Sequence, residues 1–317
     1  MKKTTRVKMP QDQDISPDMS VDVGGLKLKN PVLLASGTCG YGVEIGDLID
    51  LSALGGIVVK GLSLKPRQGN PPPRIAETPC GLLNSIGLEN IGIEAFIRDK
   101  LPWLRKINTR VIVNILGNSQ EEYASLARRI DGTDGIDAIE VNISCPNVLA
   151  GGLAIGADPN AAAGVTRAVK AATGLPVIVK LSPNVTDIVE IARAVTAAGA
   201  DAISLINTPL GMAIDIDKRR PALGNVVGGL SGPAIKPIAL RMVWQVAGAI
   251  DVPIIGIGGI SSASDALEFL MAGASAIEVG TATLVKPSVA IDIIAGVRDY
   301  MKKNNFLRID DLPIPRD

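Results

Sequence analysis

The stretch "TDIVEIARAVTAAGADAISLIN" (186–207) joins two kinds of periodicity at one glycine. In its first half, Ile188, Ile191 and Val195 fall on one face of a helix, and the charged residues fall on the other. Gly199 stands where a helix commonly ends, and a short apolar run follows it. The same order recurs in "MAGASAIEV" (271–279). The pattern predicts a repeated unit in which a helix ends at a glycine and a strand begins.

Eight short apolar runs rich in β-branched residues occur along the chain, and each ends in a polar residue or a glycine. They are 31–37, 56–61, 111–117, 138–144, 177–182, 202–207, 253–259 and 276–282. Near-continuous apolar runs are typical of parallel strands that helices cover on both faces. Eight strand–helix units predict an α/β fold, a (β/α)8 TIM barrel. A doubly wound open sheet is the alternative, although no G-x-G-x-x-G motif opens the first helix.

Further segments surround the predicted barrel. The stretch "VDVGGLKLKNP" (21–31) alternates around Gly-Gly and predicts an N-terminal β-hairpin at the barrel's lower end. Residues 1–20 are expected to form a polar tail, and residues 21–317 a single catalytic domain. Three long connections, at 61–95, 145–160 and 208–234, follow strands. Because TIM-barrel active sites lie at the carboxyl ends of the strands, these loops are expected to be functional, the second as a lid.

Composition limits the possible functions. Lys and Arg (32) balance Asp and Glu (32), so no net positive field favours nucleic acid or an anionic membrane. Three cysteines without a C-x-x-C pair argue against a disulfide framework and against a metal site. They favour a reducing cytoplasmic location, and Cys39 and Cys80 are expected to be buried and inert. No apolar run has the length of a membrane span.

Polar side chains end most of the predicted strands. They are Ser36, Lys60, Asn114, Asn142, Lys180 and Asn207. Buried amide and ammonium groups cost free energy unless they find partners, so their convergence predicts a binding site. Gly258 with Gly259, and Gly280 with Thr281, follow the last two strands, where TIM barrels often bind phosphate. This end of the site would suit a phosphorylated cofactor such as FMN.

The stretch "EVNISCPN" (140–147) places Cys145 just after a predicted strand, in a chain without histidine. Any activation of the thiol must therefore come from lysine, amide donors or backbone N–H groups. This favours proton abstraction over acyl transfer. Schiff-base chemistry on Lys180 or Lys60 remains an alternative. A phosphate-binding lyase or isomerase without flavin, and a catalytically silent subunit, therefore stay open.

Several motifs, in order, resemble the catalytic subunit of class 1B dihydroorotate dehydrogenases from about residue 21 to about residue 300. They are "PCGLLNSIGLEN", "VNISCPN", "VIVKLSPN", "NTPLGMAID", "GGLSGPAIKPIALRMVWQV", "GIGGI" and "EVGTA". The resemblance implies an FMN-bearing TIM barrel that oxidises dihydroorotate to orotate in pyrimidine synthesis. It also implies that Cys145 is the general base, while hydride passes to FMN.

The resemblance further implies two sets of contacts. Substrate contacts are implied for Lys60, Asn84, Ser85, Ile86, Gly87, Leu88, Asn142, Asn147, Asn207 and Thr208. FMN contacts are implied for Ser36, Lys60, Gly61, Asn114, Asn142, Lys180, Ile206, Gly232, Gly258, Gly259, Gly280 and Thr281.

The loop "SCPNVLAGGLAIG" is similar to that of class 1B enzymes rather than that of the fumarate-using class 1A homodimers. Class 1B implies a partner subunit that carries FAD and an iron–sulfur cluster, a heterotetramer, and NAD as final acceptor. A fumarate-linked enzyme or a related flavin pyrimidine reductase is the alternative within this family.

Overall fold

The computed structural model describes residues 16–144 and 155–315. Within these ranges the strands are β1 Val21–Val23, β2 Leu26–Leu28, β3 Val32–Leu34, β4 Gly56–Leu62, β5 Ile75–Thr78, β6 Gly81–Asn84, β7 Arg110–Ile115, β8 Ala138–Asn142, β9 Val177–Lys180, β10 Ala202–Leu205, β11 Leu210–Met212, β12 Ile214–Asp215, β13 Arg220–Pro221, β14 Val227–Ser231, β15 Ile254–Ile257 and β16 Ala276–Val279.

The α-helices in the same ranges are α1 Val43–Gly46, α2 Ile93–Ala95, α3 Leu101–Leu104, α4 Gln120–Ile130, α5 Pro159–Lys170, α6 Ile188–Ala197, α7 Lys236–Ala247, α8 Ala263–Met271, α9 Ala282–Val285 and α10 Val289–Lys303. A π-helical turn, Phe96–Lys100, joins α2 to α3. Short 3₁₀ turns span Leu51–Ala53, Ile155–Ala157, Pro233–Ile235 and Ile309–Asp311.

Eight parallel strands form a closed barrel in the order β3-β4-β7-β8-β9-β10-β15-β16, with β16 pairing back onto β3. Each barrel strand lies within one of the eight apolar runs or extends it by a single residue. The predicted (β/α)8 class is therefore confirmed, and the open-sheet alternative is wrong because the sheet has no free edge. The main core lies between the barrel and its helices.

The predicted hairpin is present as β1 and β2, which pair antiparallel with Val23 opposite Leu26. Val23, Leu26 and Leu28 pack in one buried cluster with inward-facing residues near the start of the barrel strands, among them Leu33 and Val58. The hairpin thereby plugs the amino-terminal end of the barrel with apolar side chains. The other end remains available for polar groups.

The repeated helix–glycine–strand unit is also observed. Asp187 caps the start of α6, where its carboxylate accepts from Val189 N, and Ser262 caps the start of α8, where its hydroxyl accepts from Asp265 N. Gly199 and Gly273 follow these helices with φ angles of 98° and 102°, a left-handed conformation that favours glycine. Local chemistry at both ends of the helix therefore sets where each strand starts.

The connections at 61–95 and 208–234 together build a second sheet, the cover sheet, in the order β11-β14-β6-β5. Its central pair, β6 and β14, is antiparallel, with Asn84 opposite Gly229 and Leu83 opposite Leu230. Because the two connections leave the carboxyl ends of β4 and β10, the cover sheet lies at the mouth of the barrel. Sequence reasoning predicted functional loops here but did not predict their pairing.

The third long connection is described only from Ile155, which begins a 3₁₀ turn before α5. Asp158 caps α5 by accepting from the backbone N–H groups of Asn160 and Ala161. The predicted lid residues 145–154 lie outside the described residues. Among the helices of the described ranges, none combines the length and apolar character needed to cross a lipid bilayer.

Candidate active site

A cleft opens at the carboxyl ends of the barrel strands. It consists of two adjoining hollows that share Ser36, Lys180 and Asn207 in their walls. The larger, the glycine end, holds about 610 Å³ of empty space and the smaller, the amide end, about 430 Å³. Both volumes include space that is open to solvent at the mouth of the barrel.

Most of the predicted site residues line this cleft. The glycine end is lined by Ser36, Lys180, Ile206, Asn207, Thr208, Gly232, Gly258, Gly259, Gly280 and Thr281. The amide end is lined by Ser36, Lys60, Gly61, Leu88, Asn114, Asn142, Lys180 and Asn207. Residues from almost every barrel strand therefore meet around one space, as the strand-end pattern predicted.

The turn after β15 is built for glycine. Gly258 and Gly259 have φ angles of 130° and 72°. A Cβ at Gly258 would lie 2.7 Å from Ala239 Cβ, and a Cβ at Gly259 would lie 2.8 Å from the backbone N of Lys236. The turn thus packs against the start of α7. Because Gly258 and Gly259 carry no side chains of their own, the backbone of the turn lines the cleft directly.

The amide end is organised by a chain of side-chain hydrogen bonds. Asn207 Nδ2 donates to Asn142 Oδ1 (3.3 Å), which also accepts from Ser144 N (3.1 Å). Asn207 Oδ1 accepts from the backbone N–H of Thr208 (2.8 Å). These contacts hold two of the predicted amides in one orientation at the ends of β8 and β10.

Asn114 is oriented differently, because its Nδ2 donates to the carboxylate of Glu140 (2.5 Å). Its Oδ1 is buried and has no hydrogen-bond partner within residues 16–144 and 155–315. Buried acceptors without partners are rare in folded proteins. Since Asn114 lines the amide end, this oxygen is available to an N–H group of a bound molecule.

Lys60 lies at a register shift between β4 and β7, where the strand departs from regular pairing. Such bulges commonly re-aim a side chain next to a site. Burial lowers the pKa of the Lys60 ammonium group, and the carboxylate of Glu89 partly opposes this effect. A bound anion at the amide end would therefore strengthen the charged form of Lys60.

Lys180 contacts two glutamates that sequence reasoning missed. Its Nζ lies 3.3 Å from Glu278 Oε2 and 3.5 Å from Glu140 Oε2. Burial alone would lower the pKa of Lys180, but the two carboxylates outweigh burial and raise it. The signal was present in the repeated "AIEV" of β8 and β16, which places one acid in the middle of each apolar strand.

The predicted substrate loop, residues 84–88, leaves the cover sheet toward the cleft. Within the described ranges, Leu88 is the member of this loop that lines the cleft, and it has a φ angle of 59°, which is rare for leucine. Asn84 Nδ2 donates to Gly229 O (3.2 Å), tying the loop to β14. Ser85 Oγ is buried without a partner in the described part of the chain. Ile86 and Gly87 lie between Ser85 and Leu88 in the chain.

Cys145 and Asn147 fall outside the described residues, so their roles remain predictions. The described chain reaches the cleft at Asn142, whose carbonyl accepts from Tyr123 Oη (2.6 Å). Of the other cysteines, Cys39 is buried, and burial raises the pKa of its thiol to about 12. The expectation that Cys80 is also buried is wrong, because the turn between β5 and β6 exposes it.

Comparison with known proteins gives one consistent result. A family model for dihydroorotate dehydrogenase matches residues 18–301. The catalytic subunit of dihydroorotate dehydrogenase B (NAD(+)) from Geotalea daltonii is 60% identical over 296 residues, covering 93% of this chain and 97% of that protein. Proteins with the same name from Geotalea uraniireducens and Desulforamulus reducens are 59% and 58% identical, each covering 93% of this chain and 97% of its own length. This chain belongs to the dihydroorotate dehydrogenase family and is an oxidoreductase.

Proposed function

We propose that this chain is the catalytic subunit of an NAD-linked class 1B dihydroorotate dehydrogenase, which oxidises dihydroorotate to orotate in pyrimidine biosynthesis. One structural observation carries the proposal: the unpartnered acceptor of Asn114 and the cation of Lys180 share a cleft with the glycine turns. The names of the similar proteins, which include both "NAD(+)" and "catalytic subunit", support the subclass.

The cleft fits FMN. The glycine turns at Gly258 and Gly280 would hold the phosphate, because both glycines line the glycine end with backbone alone and the loops after these two strands commonly bind phosphate. The Oδ1 of Asn114 would accept from the ring N–H, and the ammonium of Lys180 would face the neighbouring electron-rich edge. When bound, FMN supplies the hydride acceptor of the reaction.

The amide end suits a planar cyclic acid. Lys60 provides a cation for the carboxylate of dihydroorotate, and Asn142 and Asn207 provide amides for its ring carbonyl and N–H groups. Asn84, Ser85, Ile86, Gly87, Leu88, Asn147 and Thr208 complete the proposed substrate contacts. The buried Ser85 Oγ, which has no partner among the described residues, supports a ligand on the loop at 84–88.

Cys145 is the proposed general base. Its thiolate takes the proton from C5 of dihydroorotate as hydride leaves C6, and the C5–C6 double bond of orotate forms. A reference thiol has a pKa of ~8.5, so a few per cent is ionised at neutral pH. The rate of substrate oxidation should therefore rise with pH until the thiol is fully ionised.

The proposed partner is a subunit that carries FAD and an iron–sulfur cluster and passes the electrons to NAD. A heterotetramer of two copies of each chain follows from the class 1B assignment. This chain has three cysteines in all and no C-x-x-C pair, so the cluster is assigned to the partner.

The test uses the purified chain and visible absorbance. We expect yellow protein whose colour is lost when dihydroorotate is added without oxygen. Cys145→Ala should keep the colour and lose at least ~100-fold in the bleaching rate, as removal of a general base predicts. Cys80→Ala is the matched control, because Cys80 is exposed and bleaching should be unaffected.

Two outcomes would contradict the proposal. Colourless but fully folded protein would exclude a flavin enzyme, and borohydride trapping of a carbonyl substrate on Lys180 would then favour a lyase. Yellow protein that reduces fumarate rapidly, and gains no NAD-dependent turnover from a partner subunit, would favour the fumarate-linked class.

A further inference from the structure

Five inward-facing side chains meet inside the barrel at the floor of the cleft, each from a different strand. They are Asn114, Glu140, Lys180, Ser204 and Glu278. Glu140 is 0% exposed and Glu278 is 1% exposed, so water does not stabilise either carboxyl group of this acid pair. The role of the acid pair rests on the proposed function, because the glutamates contact Asn114 and Lys180, which line the cleft proposed for the cofactor.

The two acids have unequal surroundings. Glu140 accepts from Asn114 Nδ2 (2.5 Å) and Ser204 Oγ (2.8 Å), and Lys180 Nζ lies 3.5 Å away. Glu278 accepts from Lys180 Nζ (3.3 Å). Its second oxygen, Oε1, is buried without a hydrogen-bond partner among the described residues. Among the described residues, three donors thus stabilise a carboxylate at Glu140, namely Asn114, Ser204 and Lys180. Lys180 alone does so at Glu278.

The charges do not balance if both acids are ionised. Two carboxylates and one ammonium group would leave a net negative charge in a fully buried site, which is costly. The carboxyl groups of Glu140 and Glu278 are also close to each other, because both contact the same atom, Lys180 Nζ, at 3.5 and 3.3 Å. Two like charges this close raise one pKa strongly.

The electrostatics of the surrounding groups agree. Burial raises the pKa of Glu278 well above its usual value, and repulsion from Glu140 raises it further, while Lys180 opposes both. Cys39 and Lys60 also face this region, but burial keeps the Cys39 thiol protonated and lowers the pKa of Lys60. Neither group adds a negative charge that would change the balance.

We propose that the acid pair carries one negative charge and one proton, with Glu140 as the carboxylate and Glu278 as a neutral carboxylic acid. Both act as positioning residues. Glu140 keeps Lys180 charged and holds the Nδ2 of Asn114, so that the Asn114 oxygen faces the cleft. Neutral Glu278 accepts from Lys180 without cancelling the positive charge of Lys180. The edge of the cofactor would therefore meet the Lys180 ammonium group and the Asn114 oxygen.

The first test is infrared spectroscopy of the purified chain near neutral pH, where ordinary carboxyl groups are ionised. We expect a protonated-acid carbonyl band at the high-wavenumber side, because Glu278 Oε1 lacks a hydrogen bond in the described part of the chain. Glu278→Gln should remove the band. Glu140→Gln should also remove it, because Glu278 would then ionise and pair with Lys180. A spectrum without the band, or a band that survives Glu278→Gln, overturns the proposal.

Ser204→Ala decides which acid holds the proton. Ser204 donates to Glu140 (2.8 Å), so its removal shifts the band if Glu140 is protonated and leaves the band in place if Glu278 is protonated. Thr166→Val is the matched control, since it removes a buried hydroxyl that donates to Ala162 O within α5. A shift in Ser204→Ala that exceeds the control would overturn the assignment.

The midpoint potential of the bound flavin gives an independent readout. If Glu278 is neutral, Glu278→Gln changes no charge, and the equilibrium for two-electron reduction should move less than about threefold. If both acids are ionised, the substitution removes a negative charge, and reduction should become favourable by tenfold or more, roughly 30 mV. A shift of that size would overturn the proposal. Protein that binds no flavin would contradict the proposed function. The infrared test would still decide whether the acid pair holds a proton, because it needs no cofactor.

Discussion

The hairpin plug allows stability and the cleft to be perturbed separately. Leu28 is 2% exposed and packs with Val23 and Leu26 against the inner face of the barrel. Leu28→Ala removes this side chain from a site enclosed by a closed ring of strands. Because a closed ring cannot move inward to fill the space, a cavity remains, and the cost should be about 3–4 kcal/mol of unfolding free energy.

The expected change in melting temperature follows from the size of the chain. An unfolding entropy of about 2.1 cal/mol/K per residue gives roughly 0.7 kcal/mol/K for 317 residues, so Leu28→Ala should melt about 5 °C lower. Thermal unfolding followed by circular dichroism measures this shift. Lys27→Ala is the matched control, because Lys27 lies on the same strand and is exposed, and its effect should stay below about 1 °C.

Flavin content and dihydroorotate-dependent bleaching at 25 °C should be unchanged in Leu28→Ala, because the hairpin lies at the end of the barrel opposite to the cleft. Equal melting shifts in Leu28→Ala and Lys27→Ala would show that the plug contributes no packing. Loss of flavin well below the melting temperature would show that the two ends of the barrel are coupled.

Three further substitutions give distinct expected results. Gly61→Ala should weaken FMN binding at least ~10-fold in a fluorescence titration, because its Cβ would lie 2.7 Å from Asn114 Oδ1. In the parent chain, Glu278 should keep its proton above about pH 4.5, where the same group in the unfolded chain releases it. The unfolding free energy of the parent should therefore fall by up to about 1.4 kcal/mol per pH unit until the raised pKa is passed. Glu278→Gln should remove this pH-dependent loss of stability. Burial alone would raise the pKa of Asp265, but hydrogen bonds, of which that from Lys236 is the strongest, outweigh burial and lower the pKa to about 2. Asp265→Asn should therefore lower the unfolding free energy by roughly 1–2 kcal/mol at neutral pH. The difference between variant and parent should shrink as pH falls from about 4 through 2.

Each of the three has its own control or contrary outcome. Gly174→Ala should leave FMN affinity unchanged, since the nearest atom to its added Cβ is 4.0 Å away. Parallel pH profiles for Glu278→Gln and the parent chain would mean that Glu278 is already ionised. For Asp265→Asn, a stability deficit that is constant down to about pH 2 would exclude a charge effect and leave packing as the cause.

The barrel was predictable because its signals are local. Continuous apolar runs mark strands buried on both faces, and Gly199 and Gly273 mark the helix ends that precede two of them. The predicted runs extend past several observed strands by two or three residues, as at 202–207 against β10, Ala202–Leu205. Ser36 and Asn207 lie just past their strands, whereas Asn114, Asn142 and Lys180 lie at or next to the last residue of theirs. All five line the cleft because they stand at the carboxyl ends of barrel strands.

The cover sheet and the acid pair were not predictable in the same way, for different reasons. The cover sheet depends on pairing between segments about 145 residues apart, such as Asn84 with Gly229, and its short strands carry little alternation. Glu140 and Glu278 were visible as acids within apolar strands, but their meeting at Lys180 depends on barrel closure. The sequence pattern marks the polar residues at strand ends as site candidates, but it does not mark the acids in the middle of strands.

The pairing of β6 with β14 has a consequence for exchanging specificity between relatives. The loop at 84–88 and the segment after β10 share a backbone ladder and the bond from Asn84 to Gly229, so they form one folded unit. Grafting only one of them from a homologue would leave the other without its hydrogen-bonding register. A successful chimera must therefore transplant both segments together, although they are distant in the gene.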